Sequence, residues 1–171
     1  IFEIEVWEQP KGAAAGSWEV PIEEVLAEVS SAFKKWDVVG FYADPARWES
    51  HVAAWERDHG AGLAVKASRE HPIEWWMTGA RRRHTAEALE KFRGAVLDGE
   101  MTHDGSATLT RHVLAARRVQ GGQIAKESPD SPKKIDAAVA AVLAWQARLD
   151  AIAKGAGKPR EKRTYKARRL R

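Results

Sequence analysis

Asp44 closes the apolar run VVGFYADP, and Asp136 sits in SPKKIDAAVA, at the start of an amphipathic stretch. Carboxylates placed where a buried strand ends and just inside a helix can converge on one divalent cation, even 92 positions apart in sequence. The chain contains no cysteine, so an ion must be held by oxygen or imidazole, and oxygen donors favour Mg²⁺ or Mn²⁺. The chemistry such a pair suits is metal-assisted hydrolysis of a phosphodiester.

Each aspartate also has a purely structural reading. Asp before Pro45 is a standard helix N-cap followed by the first helical residue, which needs no metal. Asp136 lies near a helix N-terminus, where the macrodipole favours an acid by a few tenths of a kcal/mol up to about 1 kcal/mol. It flanks the apolar stripe rather than opposing it, an unusual position for a merely solvated acid. The neighbouring Ala137, Ala138, Ala140 and Ala141 would let this helix approach a sheet closely.

Other groups could join the site or serve the fold. Arg81, Arg82 and Arg83 follow Trp75 and Trp76, and Lys133 and Lys134 precede Asp136; all five are candidates for phosphate contacts, with an aromatic available for stacking. Charge runs also mark solvated helix faces, the competing account of the arginines. His103, Asp104 and His112 resemble a metal cluster at first sight. His103-Asp104-Gly105 is equally a turn entering a helix, and His112 falls among apolar residues as a core or rim histidine, leaving Asp104 as the added candidate ligand. No nucleophile elbow supports Ser/His/Asp catalysis.

The elements that must position these groups follow from periodicity. Val38 to Ala43 suits a strand buried on both faces, with Asp44 at its carboxyl end, where ligands gather in open α/β sheets. Phe2, Ile4 and Val6 alternate with Glu3, Glu5 and Glu8, as in a strand with one wet face. Lys11 to Ser17 reads as a turn. Pro21 opens a helix with Val25, Leu26, Val29, Phe33 and Trp36 inward. Pro45 begins another, carrying Trp48, Val52 and Trp55, which Gly60 or Gly62 ends. Leu63 to Val65 reads as a short parallel strand, Thr85 to Leu97 as a helix with Leu89, Phe92 and Val96 inward, and Ser106 as the cap of a helix through Val119. Gln123 to Lys126 reads as an edge strand. Ser131 and Pro132 open the last helix, with a stripe of Ile135, Ala138, Val139, Val142, Leu143, Leu149 and Ile152. Strands alternating with helices imply an α/β fold with covered sheet faces.

The 171 residues, 44% hydrophobic, suit one domain (1–153) plus a tail (154–171). No apolar stretch approaches 18 residues and no signal peptide is evident, which argues against a membrane role. Nine Lys or Arg against Glu161 alone fall in the tail, so the whole-chain charge of +4 turns negative over residues 1–153. Lys162, Arg163, Lys166, Arg168 and Arg169 make the tail a candidate arm for DNA phosphates or an acidic protein surface, or a solvated extension.

The segments GSWEVP, FYADPARWESHVAAW, MTHDGSATLTRHVLAARR and KESPDSPKKIDAAVAAVLAW, from about Trp18 to Lys154, resemble the C-terminal nuclease domain of the large terminase subunit of tailed bacteriophages, especially those infecting actinobacteria. The resemblance implies an RNase H-like mixed sheet flanked by helices, N-terminally truncated, in which acidic residues bind two Mg²⁺ or Mn²⁺ ions that cut double-stranded DNA during genome packaging. It also implies partners in the terminase small subunit and portal, and action in the host cytoplasm during phage assembly. Asp44 matches the family's second carboxylate and Asp136 its third. The first has no counterpart and is expected upstream of Ile1, as is a packaging ATPase, because the chain has no G-x-x-x-x-G-K-[ST] loop. Two alternatives stand beside this: a non-catalytic module that docks on DNA or protein, and another RNase H-like enzyme, a transposase or resolvase.

Overall fold

The computed structural model describes residues 1–10 and 17–156. Residues 11–16 of the expected turn at Lys11 to Ser17 and most of the tail, including Lys162, Arg163, Lys166, Arg168 and Arg169, lie outside the described residues. Five helices and one hairpin form: α1 (Ile22–Lys35), α2 (Glu49–His59), α3 (Arg82–Leu97), α4 (Ala107–Ala115), β1 (Arg117–Val119), β2 (Gln123–Ala125) and α5 (Asp136–Ala153). The chain is thus mixed helix with a small antiparallel sheet.

The mixed sheet expected across the core does not form among the described residues; its segments run extended with sparse pairing. The N–H of Ala43 donates to the Ile73 carbonyl (3.0 Å) and its carbonyl accepts from Trp75 N–H (2.8 Å), giving an isolated parallel bridge between Ala43 and Glu74. Val65 N–H donates to the Val39 carbonyl at 3.0 Å. Leu63–Val65 and Val38–Ala43 therefore run through the core without forming continuous ladders, a correction to the two strands expected there. The 73–75 segment, which sets the height of Ala43, carried no strand signal that separated it from a loop.

Alternation along 38–43 still does what a doubly buried strand does. Phe41 and Ala43 pack towards Val52, Leu63 and Ile73, while Tyr42 packs towards Val65, Trp75, Leu89, Val142 and Leu143. One layer is α2 with α1 beside it, where the Phe33 ring stacks on His59 with centroids 3.8 Å apart. The opposite layer is α5, which packs on α3 and α4. Ile73, Val52 and Val65 are at most 1% exposed, each contributing about 1.5–3 kcal/mol of burial. Gly40 makes the close approach to the 63–65 segment possible, since a Cβ there would lie 2.4 Å from Val65 Cγ2.

Glu56 of α2 fastens the 73–75 segment. Its Oε1 accepts from the N–H groups of Ile73 (2.9 Å) and Glu74 (3.0 Å), and Oε2 meets His71 Nδ1 at 3.3 Å. Burial pushes its carboxyl up, but the two backbone N–H groups and His71 outweigh that and hold it below the ordinary value. Glu56→Ala would leave two N–H groups without an acceptor and is expected to lose about 1–3 kcal/mol in urea denaturation, with Glu56→Gln recovering part of it.

Helix boundaries depart from the sequence in instructive ways. Residues Pro45 to Trp48 form a turn, closed by Trp48 N–H on the Pro45 carbonyl at 2.7 Å, and α2 begins only at Glu49. Ser131 accepts from Lys133 N–H at 3.3 Å as a local turn, so α5 begins at Asp136, not at Pro132. The α3 helix starts at Arg82, three residues early, and Val96 is half exposed, not inward. Ser106 caps α4 as expected, accepting from Leu109 N–H at 3.0 Å, but the helix stops at Ala115. Gly121 and Gly122, at φ of 82° and 73°, turn the following residues back as the β1–β2 hairpin. The final stripe also thins, with Ile152 exposed. The N-terminal residues differ most: 1–6 are extended but form no assigned strand, with Phe2 and Ile4 exposed.

Candidate functional site

Asp44 emerges where the 39–43 segment leaves the core. Its Oδ1 accepts from Ala46 N–H at 3.3 Å, an Asx-type turn and not the cap of α2. Asp136 is the first residue of α5, exposed, with Ile135 in the N-cap position. The fold brings the two into electrostatic contact. Burial, first, pushes the Asp44 carboxyl above its ordinary value, Ala46 N–H opposes this, and the charges of Asp136 and Glu49 push it further up. A half-buried carboxylate facing two more negative groups is an arrangement that a cation relieves.

Glu49 is the participant that sequence reading missed. As the first residue of α2 it reads as a dipole-favourable acid, and only the turn at 45–48 folds it back beside Asp44. Its Oε1 accepts from Arg47 N–H at 3.3 Å. Arg47 has φ of 68°, the one non-glycine residue with positive φ among the described residues. Such a conformation costs on the order of 1–3 kcal/mol and tends to gather at functional sites. The Arg47 side chain is exposed and has no partner among the described residues.

Asp104 has a different role. It is exposed, its Oδ2 accepts from Glu3 N–H (2.8 Å) and its Oδ1 from Ser106 N–H (3.0 Å), and those backbone bonds hold its carboxyl below the ordinary value. It ties the N-terminal segment to the start of α4 and is absent from the charges acting on Asp44. The arginine run is likewise engaged. Arg81 lies over the Trp75 ring, 4.5 Å from its centroid, and donates to the Ala67 carbonyl. Arg82 donates to the Gln120 carbonyl at 3.1 Å, and Arg83 pairs with Glu87 at 3.5 Å. Lys133 pairs with Glu127 at 3.1 Å, while Lys134, half-buried two residues before Asp136, has no partner among the described residues.

His112 holds the site's second wall. It is 1% exposed; Nδ1 accepts from Ala137 N–H at 3.0 Å, so Nε2 carries the proton that points to Glu8 Oε1, 2.8 Å away. Glu8 also pairs with Arg111, and the His112 hydrogen bond is the main cause of its lowered carboxyl. The residue after Asp136 is thereby fixed to α4 and to the N-terminal segment. His112→Ala is expected to cost about 1–3 kcal/mol in denaturant titration, from an orphaned helix-terminal N–H and a cavity.

The donors here are hard oxygens, which fit Mg²⁺ or Mn²⁺ in kind. Asp44 and Asp136 are the residues that would hold an ion, with Glu49 within electrostatic range. Among the described residues no group of three or more acidic or histidine side chains is close enough to bind an ion together, so a full two-ion set needs a further ligand or a local shift. No helix among the described residues is long and apolar enough to cross a membrane.

No family model matches the chain, and no solved structure matches it. It is 42% identical over 154 residues to the Gene 13 protein of Mycobacterium phage L5, and 42% identical over the same length to that of Mycobacterium phage D29. Each match takes in 88% of this chain, and the chain spans 25% of the length of either relative. The similarity sets the chain among bacteriophage proteins.

Proposed function

We propose that the chain is part of the RNase H-like endonuclease domain of a phage terminase large subunit, cutting concatemeric double-stranded DNA in the host cytoplasm by metal-assisted phosphodiester hydrolysis. The observation that carries this reading is the approach of Asp44 and Asp136 across 92 positions, near enough that the Asp136 charge helps push the half-buried Asp44 carboxyl up. What supports it further is the phage origin of the relatives and the oxygen-only donor set. The terminase small subunit and portal are the protein partners that belong to this reading.

Divalent ions bound at this site would supply an activated water and neutralise the departing 3′ oxygen. The chain's own residues do the rest. Asp44 and Asp136 would hold the ions, and the exposed Arg47 and the half-buried Lys134, both without partners among the described residues, would meet the phosphate. Two aspartates do not neutralise two Mg²⁺, so the remaining carboxylate is Glu49 or an acid outside these residues. Base sequence is not read, because metal and phosphate contacts carry none.

Plasmid nicking by the intact protein in Mg²⁺ and in Mn²⁺ is the test. Cleavage that survives Asp44→Asn and Asp136→Ala would overturn the assignment. Metal binding without cleavage would favour a docking module, and preference for branched DNA would favour a resolvase. Arg47→Gly separates strain from function: it should raise stability by about 1 kcal/mol through relief of the positive φ, yet weaken DNA binding. Unchanged binding in a fluorescence titration would remove Arg47 from the site.

A further inference from the structure

Trp75 and Trp76 are adjacent in sequence and opposite in role. Trp75 is 5% exposed, and its indole N–H donates to Thr85 Oγ1 at 3.0 Å. Trp76 is 37% exposed, belongs to neither core cluster, and makes no hydrogen bond or ring contact among the described residues. A single exposed ring needs no explanation by itself. Here, however, it walls a pocket of about 320 Å³ together with Glu74, His71, Thr78 and Arg81, within the range of roughly 300–1,000 Å³ typical of small-ligand sites.

The pocket's polar groups are as unclaimed as its ring. Glu74 is half-buried and donates its backbone N–H to Glu56, but its carboxylate has no partner among the described residues. The Thr78 hydroxyl has none either, and the His71 ring engages Glu56 through Nδ1 alone. Arg81 is a fixed wall, held over the Trp75 ring and on the Ala67 carbonyl. A carboxylate accepts hydrogen bonds and donates none. The complement of these groups is a flat ring that offers its face to Trp76 and N–H donors at its edge. An amino-bearing nucleobase has both properties: any base stacks on an aromatic side chain, and the cytosine amino group is a known donor to acidic side chains.

The place of the pocket in the fold says where such a base comes from. Ala43 and Glu74 pair in parallel, so the chain beyond Glu74 leaves the core at the same end as Asp44. Trp76 follows the bridge by two residues and Asp44 follows it by one. We propose that the pocket takes an unpaired, amino-bearing base of the DNA strand held at Asp44 and Asp136, stacked on Trp76 with its amino group donating to Glu74. A base inside a duplex has both faces covered by its neighbours, so it enters only after leaving the stack. The pocket thereby adds a preference for base type at one position, which metal and phosphate contacts do not supply. The inference rests on the reading of the chain as one that acts on DNA.

The test is the binding of short single strands of cytosine, of thymine or of abasic sugar-phosphate to the intact protein, with a chelator present so that nothing is cut. Trp76→Ala is expected to weaken the cytosine strand by about tenfold, the scale of one lost base–aromatic stack. Trp76→Phe should recover most of that, and the abasic strand should bind all three proteins equally. Glu74→Gln, whose amide also donates, should remove the preference for cytosine over thymine. A strand carrying one 5-iodocytosine should cross-link to Trp76 on irradiation. Unchanged cytosine binding by Trp76→Ala overturns the proposal and leaves the ring and carboxylate to a cationic side chain of a protein partner. Equal losses for cytosine and abasic strands overturn it too, by making Trp76 a residue of the fold, as do adducts confined to other residues. Plasmid nicking in Mg²⁺ keeps the two readings apart. Cleavage by the unaltered protein with unchanged binding by Trp76→Ala overturns the pocket alone, whereas a base-dependent loss in a protein that never cuts supports the pocket and overturns the nuclease.

Discussion

Asp136→Ala in the intact protein is expected to lower Mg²⁺-dependent DNA cleavage by at least about a thousandfold, the scale of losing a charge-stabilising element of the transition state. The fold should survive, because Asp136 is exposed at the start of α5 and the helix is held there through Ala137 and His112. Asp44→Asn should be equally inactive but carries a second signature. The Asp44 carboxyl is raised by burial and by Asp136 and Glu49, so its folded pKa lies above its unfolded one. Between those two values the native state binds more protons than the unfolded state, and stability falls as pH rises. The penalty is fully present above the folded value and absent below the unfolded one. Asp44→Asn should therefore raise the melting temperature at neutral pH by about 2 °C, a small effect because solvent screens a half-buried group. It should make no difference below the ordinary carboxylate range. Mg²⁺ or Mn²⁺ should raise the melting temperature of the unaltered protein and not of Asp44→Asn. Melting curves at neutral and acid pH, with and without metal, check both statements; a destabilised Asp44→Asn at neutral pH would assign Asp44 to the fold alone.

Removal of the residues after Gly155 is expected to weaken DNA binding by on the order of a hundredfold at moderate salt and to flatten its salt dependence. Eight Lys or Arg leave with that segment, and each phosphate they neutralise contributes about −0.9 to the slope of log affinity against log salt. The remaining residues 1–153 are net acidic, so little sequence-independent affinity should remain. An unchanged slope in fluorescence titrations between about 50 and 200 mM salt would assign the tail to a protein partner.

Much of the helical framework was legible because helices are local. Val25, Val29 and Phe33 mark the face of α1, Ser106 caps α4, and the alanine-rich run after Asp136 forms a helix from propensity and periodicity alone. The apolar run 38–43 announced a segment buried on both faces, and it packs on both sides. Helix starts were less legible. Asp44-Pro45 and Ser131-Pro132 both carry start signals, yet each forms a turn and the helix begins four residues after the proline, at Glu49 and at Asp136. Capping chemistry and turn chemistry use the same side-chain oxygens, so local sequence does not separate them.

Sequence by itself determined which residues are apolar enough to form the layers, that Asp44 stands at the end of a buried segment, and that Asp136 stands at a helix start. Only the tertiary structure decided what surrounds them. The turn at 45–48 brings Glu49 and the strained Arg47 beside Asp44, and Glu56 fixes the 73–75 segment that holds Ala43. Hydrogen bonds to distant partners likewise engage Arg81, Arg82 and Asp104 in the fold and leave Arg47 and Lys134 without partners among the described residues. The physical reason is that a side chain's charge and hydrogen-bonding capacity are local properties, whereas the groups that satisfy or oppose them arrive from segments tens of residues away, through packing that no spacing rule encodes.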